Sequence, residues 1–223
     1  MDCTCITNPE EDEQLLADTA TKEPPTNDHQ RLLANLVDSK KYSISYKTIL
    51  QLTEADKEWT FGLVKSNMEH HYRQSKDMGW SESSKRHEMT EAAARYLILA
   101  DISNPLHPKQ LGFVHFRYTT DDDVDAHGND FRLAVVYCYE IQLEPCAQKQ
   151  GLGRILMTAM ESLGSHYLMR KSKLTVFKHN TSAMEFYKCI GYTVDVTSPS
   201  MHMSAKRATR VSYEILSRRL SLE

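Results

Sequence analysis

The sequence predicts an α/β domain in which about seven strands alternate with helices. Three observations predict it. Short runs alternate apolar and polar residues with period two, and longer stretches place apolar residues every three or four positions. The chain's 223 residues suit one large domain better than two. Eight Gly and seven Pro are too few for a fibrous or low-complexity chain. No run approaches the roughly 18–20 apolar residues of a membrane helix. The start, Met1-Asp2-Cys3-Thr4 followed by acids, lacks the basic and apolar regions of a secretory signal.

Residues 1–28 read as a polar arm, with Glu23-Pro24-Pro25-Thr26-Asn27 as linker, and residues 29–223 as a single domain. Leu32, Leu33, Leu36 and Val37 share one face of a short helix from Asp28 to about Val37. Tyr42-Ser43-Ile44-Ser45-Tyr46 alternates and predicts a strand. Thr53, with Glu54 and Asp56 after it, is an N-cap. Trp59, Leu63, Val64, Asn67, Met68 and Tyr72 then trace one face of a long helix, broken at Gly79-Trp80-Ser81. A second helix covers Ser83 to Glu91. Strands follow at Arg95 to Ala100, Leu111 to Tyr118 and Phe131 to Leu143, the last two joined by an acidic turn from Thr119 to Asp130. Gly151 to about Leu168 is helical, with Leu152, Ile155, Leu156, Ala159, Met160 and Leu163 facing inward. Lys173 to Phe177 is a strand, Thr181 to Cys189 a helix and Tyr192 to Val196 a strand. Val211 to Leu216, after an irregular polar loop, is the last strand.

The net charge of −3 is unevenly spread: residues 1–28 hold eight acids and one base, and the remainder 22 acids and 26 bases. A mildly basic body suits an anionic small molecule but is too weakly basic to argue for direct nucleic-acid binding. The basic C-terminal cluster of Lys206, Arg207, Arg210, Arg218 and Arg219 reads as a solvated surface. Five scattered cysteines, Cys3, Cys5, Cys138, Cys146 and Cys189, favour a reducing compartment, cytosol or nucleus.

The most informative segment is Gln148-Lys149-Gln150-Gly151-Leu152-Gly153-Arg154, which follows the longest predicted strand and opens a helix. Two glycines let the backbone approach a ligand closely, and the free N–H groups of a helix start bind phosphate. Lys149 and Arg154 add charge suited to a pyrophosphate. The segment has neither the third glycine of a dinucleotide turn nor the Gly-Lys-Ser/Thr of a P-loop. Taken alone it would also serve as an ordinary helix start.

With Asn180-x-x-Ala183-x-x-Phe186-Tyr187 and Gly191-Tyr192 downstream, Gln-x-x-Gly-x-Gly resembles the signature of the GCN5-related N-acetyltransferases, the GNAT family. The resemblance spans about residues 42–216. It implies a GNAT fold, a mixed central sheet flanked by helices. It also implies that the loop from Gln148 through Lys149, Gln150, Gly151, Leu152 and Gly153 to Arg154 holds the pyrophosphate of acetyl-CoA. Asn180 and the strand residues Ile141, Gln142 and Leu143 complete the implied cofactor contacts, the last group through a splayed strand edge that frees the backbone of Ile141 and Leu143. Further segments resemble N-terminal acetyltransferases of the D type: Tyr137 to Glu144, Leu174 to Asn180, Ser198-Pro199-Ser200-Met201, Ser212 to Arg219, the strand Phe113 to Arg117, and Met78-Gly79-Trp80. That enzyme class acetylates the amino-terminal serine of core histones of the H-four and H-two-A types, whose tails begin Ser-Gly-Arg-Gly. The resemblance implies histone tails as partners, no membrane, activity as a monomer, and a place in nucleus and cytoplasm.

Acetyl transfer to an amine needs a neutral amine, an oriented thioester and stabilisation of a developing oxyanion. Glu140, on the strand leading into the loop, is the candidate general base. Strict alternation puts Tyr139 and Glu140 on opposite faces, so both serve one pocket only if the strand bulges. Tyr187 is the candidate proton donor to the leaving thiolate, or else an aromatic core residue. Asn180 is a helix cap, a cofactor ligand, or both. The resemblance assigns substrate contact to Tyr72, Tyr139, Thr175, Thr197 and Tyr213, and the acidic turn, Asp121 first, offers carboxylates to the substrate arginine. Cys138 reads as a structural thiol. Cys3-x-Cys5 lacks further zinc ligands, and His70 and His71 point apart on a helix, so no metal is implied. A lysine or small-amine acetyltransferase, and an acyl-CoA-binding module without turnover, stay open at this point.

Overall fold

The computed structural model describes residues 9–125 and 127–221. In chain order the elements are helices α1 (Pro9–Lys22) and α2 (Asn27–Ala34), strand β1 (Tyr42–Thr48), and helices α3 (Glu54–Gln74) and α4 (Glu82–Met89). Strands β2 (Arg95–Asp101), β3 (Lys109–Val124) and β4 (Asp130–Leu143) follow, then helix α5 (Leu152–His166), strand β5 (Lys171–Phe177) and helix α6 (Thr181–Cys189). The chain closes with the two-residue strand β6 (Thr193–Val194), the single turns α7 (Pro199–His202) and α8 (Ala205–Ala208), and strand β7 (Tyr213–Arg219). One mixed sheet runs β1-β2-β3-β4-β5-β7-β6, parallel at β4–β5 and antiparallel elsewhere. This is the α/β architecture the periodicities predict. None of the helices among the described residues is long and apolar enough to cross a membrane.

Both faces of the sheet are covered, which is why β2 reads as a nearly unbroken apolar run. Leu97 and Leu99 pack with Val114, Phe116, Leu156 and Met160 on the α5 side. Tyr96 and Ile98, one step out of phase, pack with Phe61, Val64 and Phe113 on the α3 side. Helix α3 starts as predicted at Thr53. The Thr53 hydroxyl accepts from the Asp56 N–H at 3.0 Å, and the Asp56 carboxylate accepts from the Thr53 N–H at 3.2 Å. This reciprocal cap satisfies two donors that an open helix start would waste. Thr53→Ala is expected to cost about 1 kcal/mol of stability. A lowered denaturation midpoint with unchanged turnover checks it.

The strand expected over Tyr192 to Val196 pairs only at Thr193–Val194, and the polar loop after it holds the turns α7 and α8. Two further stretches differ more. Where a polar arm was expected, Pro9–Lys22 forms α1 and buries Ala17 and Ala20. Glu13 accepts from the Ala134 N–H at 2.8 Å and from Arg170 at 2.9 Å, which ties α1 to the sheet. Only Ala17 and Ala20 are buried, with Leu16 partly so, among many acids, so the apolar stripe is faint. Residues 1–8, with Cys3 and Cys5, lie outside the described residues. The acidic segment expected to be one long turn is instead mostly strand: β3 runs to Val124 and β4 resumes at Asp130. Lysine and arginine partners make that possible. Asp121 pairs with Lys173 at 2.5 Å, Asp123 with Lys171 at 2.6 Å and Asp122 with Arg132 at 3.6 Å. The true turn is short, and Asp125 closes it by accepting from the N–H groups of His127 and Asn129.

Candidate active site

Strands β4 and β5 share register only from Val135 opposite Lys171 to Cys138 opposite Leu174. Beyond that point β4 continues with β3, and β5 with β7. A gap therefore opens along β4 from Tyr139 onward, in the middle of the sheet. One residue of β4 is also extra: His115 pairs with Glu140 and Phe116 with Cys138, leaving Tyr139 as a bulge. A bulge cancels one step of alternation. Tyr139 accordingly stacks on His115, the register partner of Glu140, with ring centroids 5.2 Å apart. Tyr139 and Glu140 both line one cavity of about 940 Å³.

Glu140 is 5% exposed. Its Oε1 accepts from Lys85 Nζ at 3.0 Å and its Oε2 from Gln142 Nε2 at 2.9 Å. Burial raises its pKa above the ordinary carboxylate value, against the opposing pull of Lys85 and the Gln142 hydrogen bond. A carboxylate so placed is a better base than one in water. Tyr72, held by the same Lys85 ammonium, has its ionisation pushed up to about 12 by burial and then by the Glu140 charge, so its hydroxyl keeps its proton. Tyr187 lines the same cavity, packed against Phe186 and Tyr192. Burial pushes its ionisation well up, so it too holds a proton near neutral pH. The Cys138 thiol is buried in the α5-side core, and burial likewise raises its pKa. That is an inert thiol, not a nucleophile.

The loop before α5 borders the same cavity. Lys149 and Gly151 adopt left-handed backbone conformations, with φ of 59° and 79°. Alternating hand in successive residues turns N–H groups toward one side and forms an anion-binding concavity. The first turn of α5 adds N–H groups without intrahelical partners. A Cβ at Gly151 would meet no protein atom within 4 Å, so the space before the helix is open, and Gln148, Lys149, Gly153 and Arg154 border the same cavity. At Gly153 α6 comes close, and a Cβ would lie 3.3 Å from the Phe186 ring, which would have to shift by a few tenths of an ångström. These residues fit a pyrophosphate. Two neighbours serve the loop from outside the cavity. Gln150 donates to the Cys146 carbonyl at 2.6 Å, and Leu152 is turned into the core. Ile141 and Gln142 line the cavity, as does Leu143, but the Leu143 carbonyl, expected to be free, accepts from Asn67 and Gln148, each at 3.3 Å. Asn180 caps α6 by accepting from the Ala183 N–H at 3.2 Å while bordering the cavity.

Of the residues expected to touch substrate, Tyr72, Tyr139 and Thr175 line the cavity, with the Thr175 hydroxyl 2.6 Å from that of Tyr137. Asp121, Thr197 and Tyr213 are not among its walls. Asp121 and Thr197 instead gather with Asp195 around the buried Lys173 ammonium, and Tyr213 opens β7 opposite Phe177. Sequence reasoning missed Lys85, and it put Asn67 on the helix face without its bonds to β4. Neither carries a local signal: their partners on β4 are 55 and 75 residues away. His70 and His71 do not point apart as expected; their ring centroids are 3.8 Å apart. No group of three or more metal-ligating side chains that could hold an ion occurs among the described residues.

Two parting parallel strands open a cavity that a glycine-bearing loop and a buried carboxylate both border. Residues 65–192 match the acetyltransferase (GNAT) family, and the chain belongs to that family. Arabidopsis thaliana NAA60 in complex with a bisubstrate analogue is 14% identical, over 80% of this chain and 100% of its own, with a TM-score of 0.52. A GNAT-family acetyltransferase from Staphylococcus aureus Mu50 is 12% identical, over 80% of this chain and 100% of its own, also with a TM-score of 0.52. At such identities the likeness is one of fold.

Proposed function

We propose that this acetyltransferase is an N-α-acetyltransferase of the D type. It moves acetyl from acetyl-CoA to the N-terminal serine amine of core histones of the H-four and H-two-A types, acting as a monomer in nucleus and cytoplasm. The observation that carries the reading is the placement of Glu140: a buried carboxylate with a raised pKa, in the same cavity as the anion loop, walled by tyrosines and a threonine. Bound acetyl-CoA supplies the activated acetyl thioester. The backbone of the 148–154 loop, with Lys149 and Arg154, holds its pyrophosphate, and the opened edge of β4 aligns its arm. Glu140 takes the proton from the attacking amine, directly or through one water. Tyr187 keeps a proton for the departing thiolate.

An α-amine suits this base better than a lysine does. Its pKa near 7.7–8.0, against about 10.4, lowers the cost of deprotonation by roughly 3.5 kcal/mol. Tyr72, Tyr137, Tyr139 and Thr175 make a narrow wall with hydroxyl partners for serine. A wall of rings favours glycine at the second peptide position because glycine alone presents no Cβ. The arginine at the third position has a weaker claim on the protein. Asp122 and Asp123 are matched by Arg132 and Lys171, and Asp121 already holds Lys173.

The test is kcat/KM for Ser-Gly-Arg-Gly peptides altered one position at a time. Leucine at the second position is expected to lower it roughly 5–150-fold, as overpacking in a rigid slot costs about 1–3 kcal/mol. Alanine at the third is expected to cost less, with an effect that fades as salt rises. If the leucine peptide works as well as the parent, the enzyme is a broad acetyltransferase and the histone assignment fails.

A further inference from the structure

Resting on the reading of Glu140 as the base, we infer that Lys85 is a positioning residue that acts through Glu140, fixing its carboxylate and keeping it ionised inside the protein. The geometry is a tripod. Lys85 Nζ donates to Glu140 at 3.0 Å, to Glu88 at 2.7 Å and to the Tyr72 hydroxyl at 2.9 Å. An ammonium has three N–H groups, so none is left for a substrate. Lys85 therefore does its work through the groups it holds. The Tyr72 oxygen accepts from Lys85, so its own O–H points away from that ammonium.

The charges around Glu140 make Lys85 decisive. Tyr72 faces it from α3, Lys85 and Glu88 from α4, Tyr96 from β2, His115 and Arg117 from β3, Cys138 and Tyr139 from β4, and Tyr187 from α6. The tyrosines and the thiol are neutral near pH 7, since burial raises each of them. His115 is fully buried between Tyr96 and Tyr139, and burial pushes its pKa well down, so it is neutral as well. Arg117 is engaged by Glu91 at 2.5 Å and by the Glu88 carbonyl, and lies over the Tyr139 ring. Lys85 is the cation in contact with the Glu140 carboxylate. Burial works against its charge, but Glu140, Tyr72 and Glu88 outweigh that and hold it protonated. A carboxylate buried without such a partner takes up a proton. Glu88 acts the other way, since its like charge raises the Glu140 pKa and competes for Lys85.

Opposite shifts follow for the two neighbours. The readout is the protonation of Glu140 by infrared difference titration, using the carboxyl band that Glu140→Gln abolishes, alongside the pH profile of kcat/KM. Lys85→Met is expected to move that titration up by at least about one pH unit, the scale of a lost charge partner at contact. The kinetic limb below the amine's own should follow it. Glu88→Gln is expected to move both down, and Lys85→Arg to leave them near the parent values. In a Glu140→Gln background, Lys85→Met should change kcat by less than about twofold. Acetyl-CoA affinity, measured by calorimetry, should stay within about twofold throughout and so report that each variant is folded. A Glu140 titration that stays put in Lys85→Met, or that moves up in Glu88→Gln, overturns the inference. So does a further large loss in the double variant. Should Lys85→Met not fold, Glu88→Gln and Lys85→Arg decide by the same signs. A Glu140→Gln enzyme as active as the parent is a separate outcome: it removes the base, and the role of Lys85 with it.

Discussion

Glu140→Gln is expected to lower kcat by about 10²–10⁴-fold while leaving acetyl-CoA affinity nearly unchanged. The substitution preserves shape and removes only the carboxylate. The new amide can accept from only one of the two donors that Glu140 holds, Lys85 and Gln142, while Lys85 keeps Glu88 and Tyr72 as acceptors. The deficit should shrink as pH rises through the α-amine pKa near 7.7–8.0, since the substrate then arrives deprotonated. In the parent enzyme activity should fall as pH drops through the Glu140 pKa, which burial places above the usual carboxylate range. Single-turnover rates across pH with a serine-initiated peptide measure both effects. A deficit of the same size at every pH would make Glu140 a positioning group instead of a base.

Gly151→Asp is expected to weaken acetyl-CoA binding by at least about 2 kcal/mol, roughly thirtyfold, through charge repulsion and occupation of the anion site. The structure sharpens this. A Cβ at Gly151 meets no protein atom within 4 Å, so the added carboxylate has open space before α5. A carboxylate at a helix N-terminus favours the helix, which offsets part of the strain of a positive φ. The variant should therefore fold with little loss of stability and still fail to bind. Calorimetric titration alongside thermal denaturation separates the two. Unchanged affinity in the folded variant would show that the loop is not the cradle.

The glycine loop, the strand before it and the helices after it were legible because local rules govern them. Gly151 is needed where φ is positive, and α6 begins at Thr181, just after its cap Asn180, as the pattern predicts. The bulge at Tyr139 was not legible from periodicity, which can only flag a conflict between adjacent residues that must share a face. Helix α1 was obscured because its acids dominate the local pattern while only Ala17 and Ala20 are buried. The long β3–β4 ribbon was mistaken for a turn because its aspartates are neutralised by Lys171 and Lys173, about fifty residues further on. Lys85 shows the same limit at the site itself. Its sequence context offers an i, i+3 partner in Glu88 and no sign of Glu140.

The most direct measurement places labelled acetyl-CoA with a Ser-Gly-Arg-Gly peptide whose α-amine is free, and with the same peptide blocked at that amine. Each peptide carries a lysine further along. The account predicts label in the free peptide, located at the terminal serine, and none in the blocked one, because the base at Glu140 is matched to an amine that titrates near 7.7–8.0 and not to one near 10.4. Label entering the blocked peptide through its lysine, at a rate comparable to the free one, would contradict it.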